Sequence, residues 1–173
     1  HFDQDLYEHS YGNRLRTNLL NDDHKPTFSP YLFSPYFHQY ENWRDFALEN
    51  AKKSIQKNQN VVLFTMDLRR FFYQVNISEE HLLKLTNEFC EKGQICDEYA
   101  DLIKPLTKFI WKVIAKYSEI LRKEEYQLVE SRNVLPIGFL PSNVLANYCL
   151  KKFDDVLVNG WNPLYYGRYV DDI

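Results

Sequence analysis

Three things are scarce in this 173-residue sequence: cysteine, net positive charge and long apolar runs. The three cysteines, Cys90, Cys96 and Cys149, are odd in number and include no CxxC spacing, so we predict neither a disulfide framework nor a zinc site. Neither a run of 18 apolar residues nor a signal-peptide pattern occurs. We therefore expect a cytoplasmic protein with reduced thiols and no membrane partner.

The formal charge of −3 argues mildly against a nucleic-acid binder, because such proteins are expected to be basic. The aromatic share of 16% fits a packed core, and it also fits a surface on which bases stack. Composition alone leaves both alternatives open.

The apolar pattern predicts a mixture of helices and short strands. Spacings of three and four residues predict helices over 41–57, from Ser78 to about 92, over 97–122, and from Ser142 to about 158. Apolar runs at 61–66 and 164–170 predict two strands, the first buried on both faces, and residues 124–135 are predicted to form a hairpin or short strands. This order of elements is typical of an α+β fold.

Acidic residues follow both predicted strands. Asp67 comes directly after the first, and Asp171 and Asp172 come after the second. Neighbouring side chains of a strand point to opposite faces, so this Asp pair can serve one site only at a turn, such as a hairpin tip. Carboxylates brought together repel unless a cation intervenes, and oxygen ligands suit Mg²⁺ or Mn²⁺. The alternative is an ordinary acidic turn.

Three segments carry a more specific pattern. Tyr169–Asp172 (YVDD) looks like a YxDD signature, and Leu135–Ser142 (LPIGFLPS) resembles an LPxGxxxS segment. In Asp67–Phe72 an aspartate is followed five positions later by an aromatic residue. All three occur in reverse transcriptases in the same order as along this chain, and together they cover about residues 60–173.

Two further segments indicate which members of that family the chain resembles. Tyr166–Arg168 is similar to the residues before YxDD in bacterial reverse transcriptases. Ser10–Leu15 (SYGNRL) looks like a segment of the abortive-infection and other phage-defence enzymes.

The resemblance implies an α+β fold: a right-hand polymerase palm with part of the fingers and without a thumb. Residues 1–60 would form the N-terminal or fingers segment, and residues 61–173 the palm with inserted helices, truncated after the YVDD turn. We therefore expect a fragment. Cations bound to the carboxylates of a metal-dependent polymerase would also account for the acidic composition.

The implied activity is that of an RNA-directed DNA polymerase acting in anti-phage defence. It would add dNTPs to a 3′-hydroxyl or a protein primer by two-metal phosphoryl transfer, with an RNA template and a DNA product. Homo-oligomer formation is left open. The alternatives are a maturase-like or RNA-dependent RNA polymerase relative, and a polymerase-shaped binding module without templated activity.

The resemblance also assigns the metal ligands. Asp67 and Asp171 would hold both Mg²⁺ or Mn²⁺ ions, and Asp172 would support them more peripherally. The backbone carbonyl of Leu68 would complete one metal site.

Five other residues receive roles in substrate binding. Phe72 would pack beneath the sugar of the nucleotide, and Gly138 would let the backbone approach it closely. Arg70 and Arg14 are candidates for phosphate contacts to nucleotide and template, with solvated surface arginines as the alternative. Ser142 would cap its helix near the template strand.

One position departs from the family pattern. Ile137 stands where many members have Gln, whose amide can hydrogen-bond the nucleotide. Weaker substrate binding or altered template dependence is the expected consequence.

The position of Phe72 generates a prediction about the choice of sugar. A ring beneath the ribose leaves room for hydrogen at C2′ but not for a hydroxyl, so Phe72→Val should admit ribonucleotides while deoxynucleotide addition survives. Phe71→Val should chiefly destabilise the fold, by a few kcal/mol if Phe71 is buried. The ratio of dNTP to rNTP incorporation measures both, and a ratio that moves only with Phe71 would show that the motif is misaligned.

Overall fold

Helices dominate the computed structural model, which describes residues 8–16, 32–92, 97–124 and 131–173. The described helices are α1 (Tyr36–Gln56), α2 (Phe71–Gln74), α3 (Glu79–Lys92), α4 (Asp97–Lys123) and α5 (Leu140–Trp161). The described residues form two compact units. The first unit holds those from 8 to 69 together with 147–173, and the second holds those from 70 to 146. The predicted boundary after residue 60 stays a prediction.

The predicted α+β polymerase palm is wrong, because the described residues contain no β-sheet. Their backbone pairing is limited to isolated bridges: Ser10–Arg168 is parallel, and Leu15–Phe33, Asp67–Asp172 and Tyr169–Asp172 are antiparallel. A sheet requires a ladder of successive bridges.

The two predicted strands show why the prediction failed. Within the run 61–66 only Met66 pairs with a described residue, Ile173, and the run is not buried, since Val62 is 90% exposed. The run 164–170 contributes only the bridges at Arg168 and Tyr169. Apolar, β-branched residues favour an extended backbone, but a strand also needs a neighbouring strand to pair with. That neighbour can lie far away in the sequence, so the local pattern does not show whether it is present. Of the hairpin predicted at 124–135, residues 125–130 lie outside the described residues.

Local signals predicted the helices more successfully. The N–H of His81 donates to the Ser78 side chain at 3.1 Å, which confirms Ser78 as the N-cap of α3. Helix α4 covers the predicted range, with Pro105 inside it. Helix α5 begins two residues before Ser142, whose N–H donates to the carbonyl of Phe139 at 2.8 Å. Ser142 is therefore within the first turn, and its predicted role as the cap is wrong.

The second unit has its core between α3 and α4. The hydroxyls of Thr86 and Thr107 meet across the two helices at 2.9 Å. The Ser118 hydroxyl donates to the carbonyl of Ile114 and accepts from the N–H of Val134, at 2.8 and 2.9 Å. These bonds satisfy buried polar groups within an apolar interior.

The apolar residues of α4 recur at helical spacing, which predicts that this stripe is core, and this is right for Ile114, which is fully buried. It is wrong for four other members of the stripe, which are about half exposed or more: Leu102, Leu106, Phe109 and Ile120.

No helix among the described residues is long and apolar enough to cross a membrane.

Ile114 and Ile120, on the same helix, form a matched pair for a stability test. Ile114→Ala should reduce the free energy of unfolding by roughly 2–5 kcal/mol, because it leaves a cavity. The same substitution at Ile120, which is 49% exposed, should reduce the free energy of unfolding by about 1 kcal/mol or less. Urea denaturation measures both, and equal losses would contradict the described core.

Candidate functional site

A tight turn places Asp171 at its tip. The N–H of Tyr169 donates to the carbonyl of Asp172 at 2.7 Å, and the N–H of Asp172 donates back to Tyr169 at 3.0 Å. Val170 and Asp171 are the two residues between them. The turn that the Asp pair requires is therefore present, with Asp171 at the tip and Asp172 at the base.

A second backbone segment runs antiparallel to this turn and brings Asp67 to it. Met66 and Ile173 exchange two hydrogen bonds of 2.8 Å, and the N–H of Leu68 donates to the carbonyl of Asp171 at 3.0 Å. Asp67 is thus opposite Asp172, between these bonds. Residues so placed have Cα atoms about 4.5 Å apart and side chains on one face. The backbone therefore brings Asp67 beside the turn that carries Asp171 and Asp172.

The three carboxylates influence one another electrostatically. Burial raises the pKa of the Asp171 carboxyl, and the negative charges of Asp172 and Asp67 raise it further, while Arg168 lowers it. Asp67 is exposed, and Asp171 and Asp172 are half-buried. Negative charge concentrated in this way attracts a cation.

The donor chemistry fits a hard divalent cation. Among the described residues, no three His, Cys, Asp or Glu side chains form a group that could hold a metal ion. Mg²⁺, however, keeps several waters and binds through one or two carboxylates together with substrate phosphates. Within the described part of the chain, no backbone N–H donates to the Leu68 carbonyl. The metal assignment stays a prediction.

A buried ion pair lies directly behind the turn. Arg168 is fully buried, and it donates from Nε and Nη2 to the two carboxylate oxygens of Asp154, both at 2.9 Å. Its Nη1 donates to the Asn147 side chain at 3.1 Å and to the carbonyl of Val170 at 2.8 Å. The hydroxyl of Tyr166 also donates to Asp154, at 2.6 Å. Asn147 and Asp154 therefore have structural roles in this network.

The segment around Ser10 packs against the same network. The Ser10 hydroxyl donates to Asn147, which donates in turn to the carbonyl of Gly12. A Cβ at Gly12 would lie 2.6 Å from Val170 Cγ2 and 2.7 Å from Val170 N. Only glycine allows this close approach, so residue 12 sets how the segment meets the turn.

Sequence reasoning missed the roles of Arg168, Ser10 and Gly12. The signal was available, since two of the segments that resemble the family contain them. Arginine is rarely buried unless it is paired, and its partner Asp154 is 14 residues away, so the pattern gave no reason to join them.

Arg14, predicted to contact the template, takes part in contacts within its own segment. Its Nε donates to the carbonyl of Ser10, and its guanidinium lies over the Tyr11 ring, 4.8 Å from the centroid.

The remaining predicted residues belong to the second unit, and their roles stay predictions. Phe71 is buried and Phe72 is half-buried, with their rings edge to face 5.6 Å apart. Arg70 is exposed and precedes α2 in the left-handed region, at φ 55°. The Ser142 hydroxyl is buried and has no hydrogen-bond partner among the described residues.

Gly138 lies in an exposed turn that is closed by a hydrogen bond from the N–H of Phe139 to the carbonyl of Pro136. Its φ of +82° favours glycine, and a Cβ there would meet nothing within 4 Å. The role of Gly138 beside a nucleotide stays a prediction.

An apolar groove of about 520 Å³ also lies in the first unit. Met66 and Ile173 line it, but none of the three acids does. It is therefore not the candidate site. Its other lining residues include Trp43, Leu48, Val62, Phe64, Trp161 and Leu164.

Comparisons with protein-family models, with curated proteins and with solved structures found no match. The likeness to reverse transcriptases therefore rests on the residues and motifs of this chain alone.

The carboxylates of Asp67, Asp171 and Asp172 generate a prediction about how stability depends on pH. The folded pKa of Asp171 lies above its ordinary value of 3.8, so its charged form penalises the folded state. This penalty is absent below pH 3.8, grows as the pH rises from 3.8 to the folded pKa, and is complete above the folded pKa. Asp171→Asn should therefore raise the melting temperature near pH 7, without added divalent ions, and the gain should vanish in acid.

The control is Asp155→Asn, which removes an exposed carboxylate that pairs weakly with Lys151 at 3.4 Å. It should leave the melting temperature nearly unchanged at both pH values. A lower melting temperature for Asp171→Asn near pH 7 would contradict the expected repulsion between Asp171 and the carboxylates of Asp67 and Asp172.

Proposed function

We propose that this chain is the catalytic part of an RNA-directed DNA polymerase, similar to the reverse transcriptases of bacterial phage defence. The observation that carries the proposal is the antiparallel pairing of residues 66–68 with 171–173. It joins two motifs, about a hundred residues apart in sequence, at their acidic positions.

The proposed reaction is attack of a primer 3′-hydroxyl, or a protein hydroxyl, on the α-phosphate of a dNTP. The new P–O bond forms as the bond to pyrophosphate breaks, and the proton of the hydroxyl passes to solvent. Bound Mg²⁺ or Mn²⁺ would supply charge stabilisation and alignment. Asp67 and Asp171 would hold it with the Leu68 carbonyl, supported by Asp172.

The substrate-binding roles belong to the same proposal. Phe72 would lie under the sugar, Gly138 beside the nucleotide, and Arg70 at its phosphates. Ser142 and Arg14 would lie along the RNA template and DNA product. The cytoplasm is the proposed location.

Ile137 bears on whether synthesis is templated. Its side chain is 63% exposed, so Ile137 is not core. An isoleucine there cannot hydrogen-bond a nucleotide, which favours looser template control. Primer extension with and without template distinguishes the two modes of synthesis.

The acids provide the direct test of activity. Asp67→Asn and Asp171→Asn should each reduce nucleotide addition roughly 10³-fold or more, because each removes a group that stabilises the transition state. The assay is extension of a DNA primer on an RNA template with dNTPs and Mg²⁺ or Mn²⁺. Asp155→Asn serves as the control and should retain parent activity. Near-normal extension by Asp67→Asn would refute the metal assignment.

A further inference from the structure

The turn that presents Asp171 has an unusual backbone conformation. Val170, at its first central position, has φ 58°, in the left-handed region. A β-branched residue is strained there, because its side chain crowds the backbone. Such conformations persist only where the surrounding structure over-determines them, and they cluster at functional sites.

Arg168 supplies one of the constraints. Its Nη1 donates to the carbonyl of Val170 at 2.8 Å, which fixes the peptide group that leads into Asp171. The guanidinium cannot turn away from this carbonyl, because it is planar and its other two nitrogens are held by both oxygens of Asp154. Asn147 holds Nη1 from a second side.

Gly12 supplies another constraint. A side chain at this position would collide with the nitrogen and side chain of Val170, so the bare backbone of residue 12 lies directly against the turn. The turn is thus confined between the segment 9–12 and Arg168.

We infer that Arg168 is a positioning residue, which sets the direction in which Asp171 presents its carboxylate to a divalent cation. It acts through the carbonyl of Val170 and touches no reacting atom. The inference rests on the proposed function, which gives Asp171 its role as a ligand.

A purely structural ion pair is the alternative, and substitution can separate the two. Replacing both members of a buried pair by apolar residues of similar volume is often neutral or stabilising, whereas removing one member is costly. The double variant Arg168→Met, Asp154→Leu should therefore fold while it lacks the bond to Val170. The control Lys151→Gln, Asp155→Asn removes an exposed pair from the same helix.

The measurements are the melting temperature, Mn²⁺ affinity by electron paramagnetic resonance without nucleotide, and kcat and dNTP KM on an RNA template with a DNA primer. A positioning role predicts a folded double variant with Mn²⁺ affinity and kcat each lowered about tenfold or more and dNTP KM little changed. The control should match the parent throughout. A folded double variant with the parent's Mn²⁺ affinity and kcat would overturn the inference.

If the double variant fails to fold, the single variant Arg168→Lys distinguishes the positioning role from a purely structural one. Lysine keeps the charge but cannot bond both oxygens of Asp154 and the Val170 carbonyl together. Reduced Mn²⁺ affinity in this variant supports the positioning role, and unchanged affinity overturns it. A parent chain that binds Mn²⁺ but adds no nucleotide refutes the proposed function alone, because the affinity comparison still tests Arg168.

Discussion

The buried pair of Arg168 and Asp154 links the acidic turn to the rest of the first unit. A charge removed from water is tolerated only when it is paired and its remaining donors are bonded, and every nitrogen of this guanidinium has an acceptor. The acceptors come from α5 and from the turn, while the backbone of Arg168 also bonds to His9 and Tyr11. One residue therefore ties three separate stretches of the chain together.

The turn that these bonds hold carries negative charges that reduce the stability of the folded state. Asp67 is paired with Asp172 beside the turn that carries Asp171, and the raised pKa of Asp171 reflects both its burial and the charges of these two neighbours. A protein selected only for stability would not keep this arrangement, since neutral residues would relieve the repulsion. The cluster makes physical sense if cation binding balances the charge when the site is occupied.

Prediction from sequence succeeded where the signal was local. Ser78 caps α3 because its own side chain reaches an N–H three residues later, and the period of α4 predicted its bounds. The turn at Asp171 followed from the geometry that an Asp pair requires. In each case the information lay within a few residues or along one helix.

Prediction failed where a distant partner decides the outcome. The run 61–66 has the composition of a buried strand, yet only its last residue, Met66, pairs with a described residue, so neither a palm sheet nor burial followed. The burial of Arg168 depends on Asp154 and Asn147, which are on a helix. Gly12 is needed only because Val170 packs on it. These contacts exist only in the folded chain, so the local sequence does not reveal them.

The central claim is that residues 66–68 and 170–173 form one cation site. Mn²⁺ broadens the NMR signals of nearby amides, so a titration of the isotopically labelled chain locates the ion directly. The account predicts that amide signals of both segments broaden together, at the lowest Mn²⁺ concentrations, and that Asp171→Asn removes the effect. Broadening that begins elsewhere, or that reaches only one of the two segments, would contradict it.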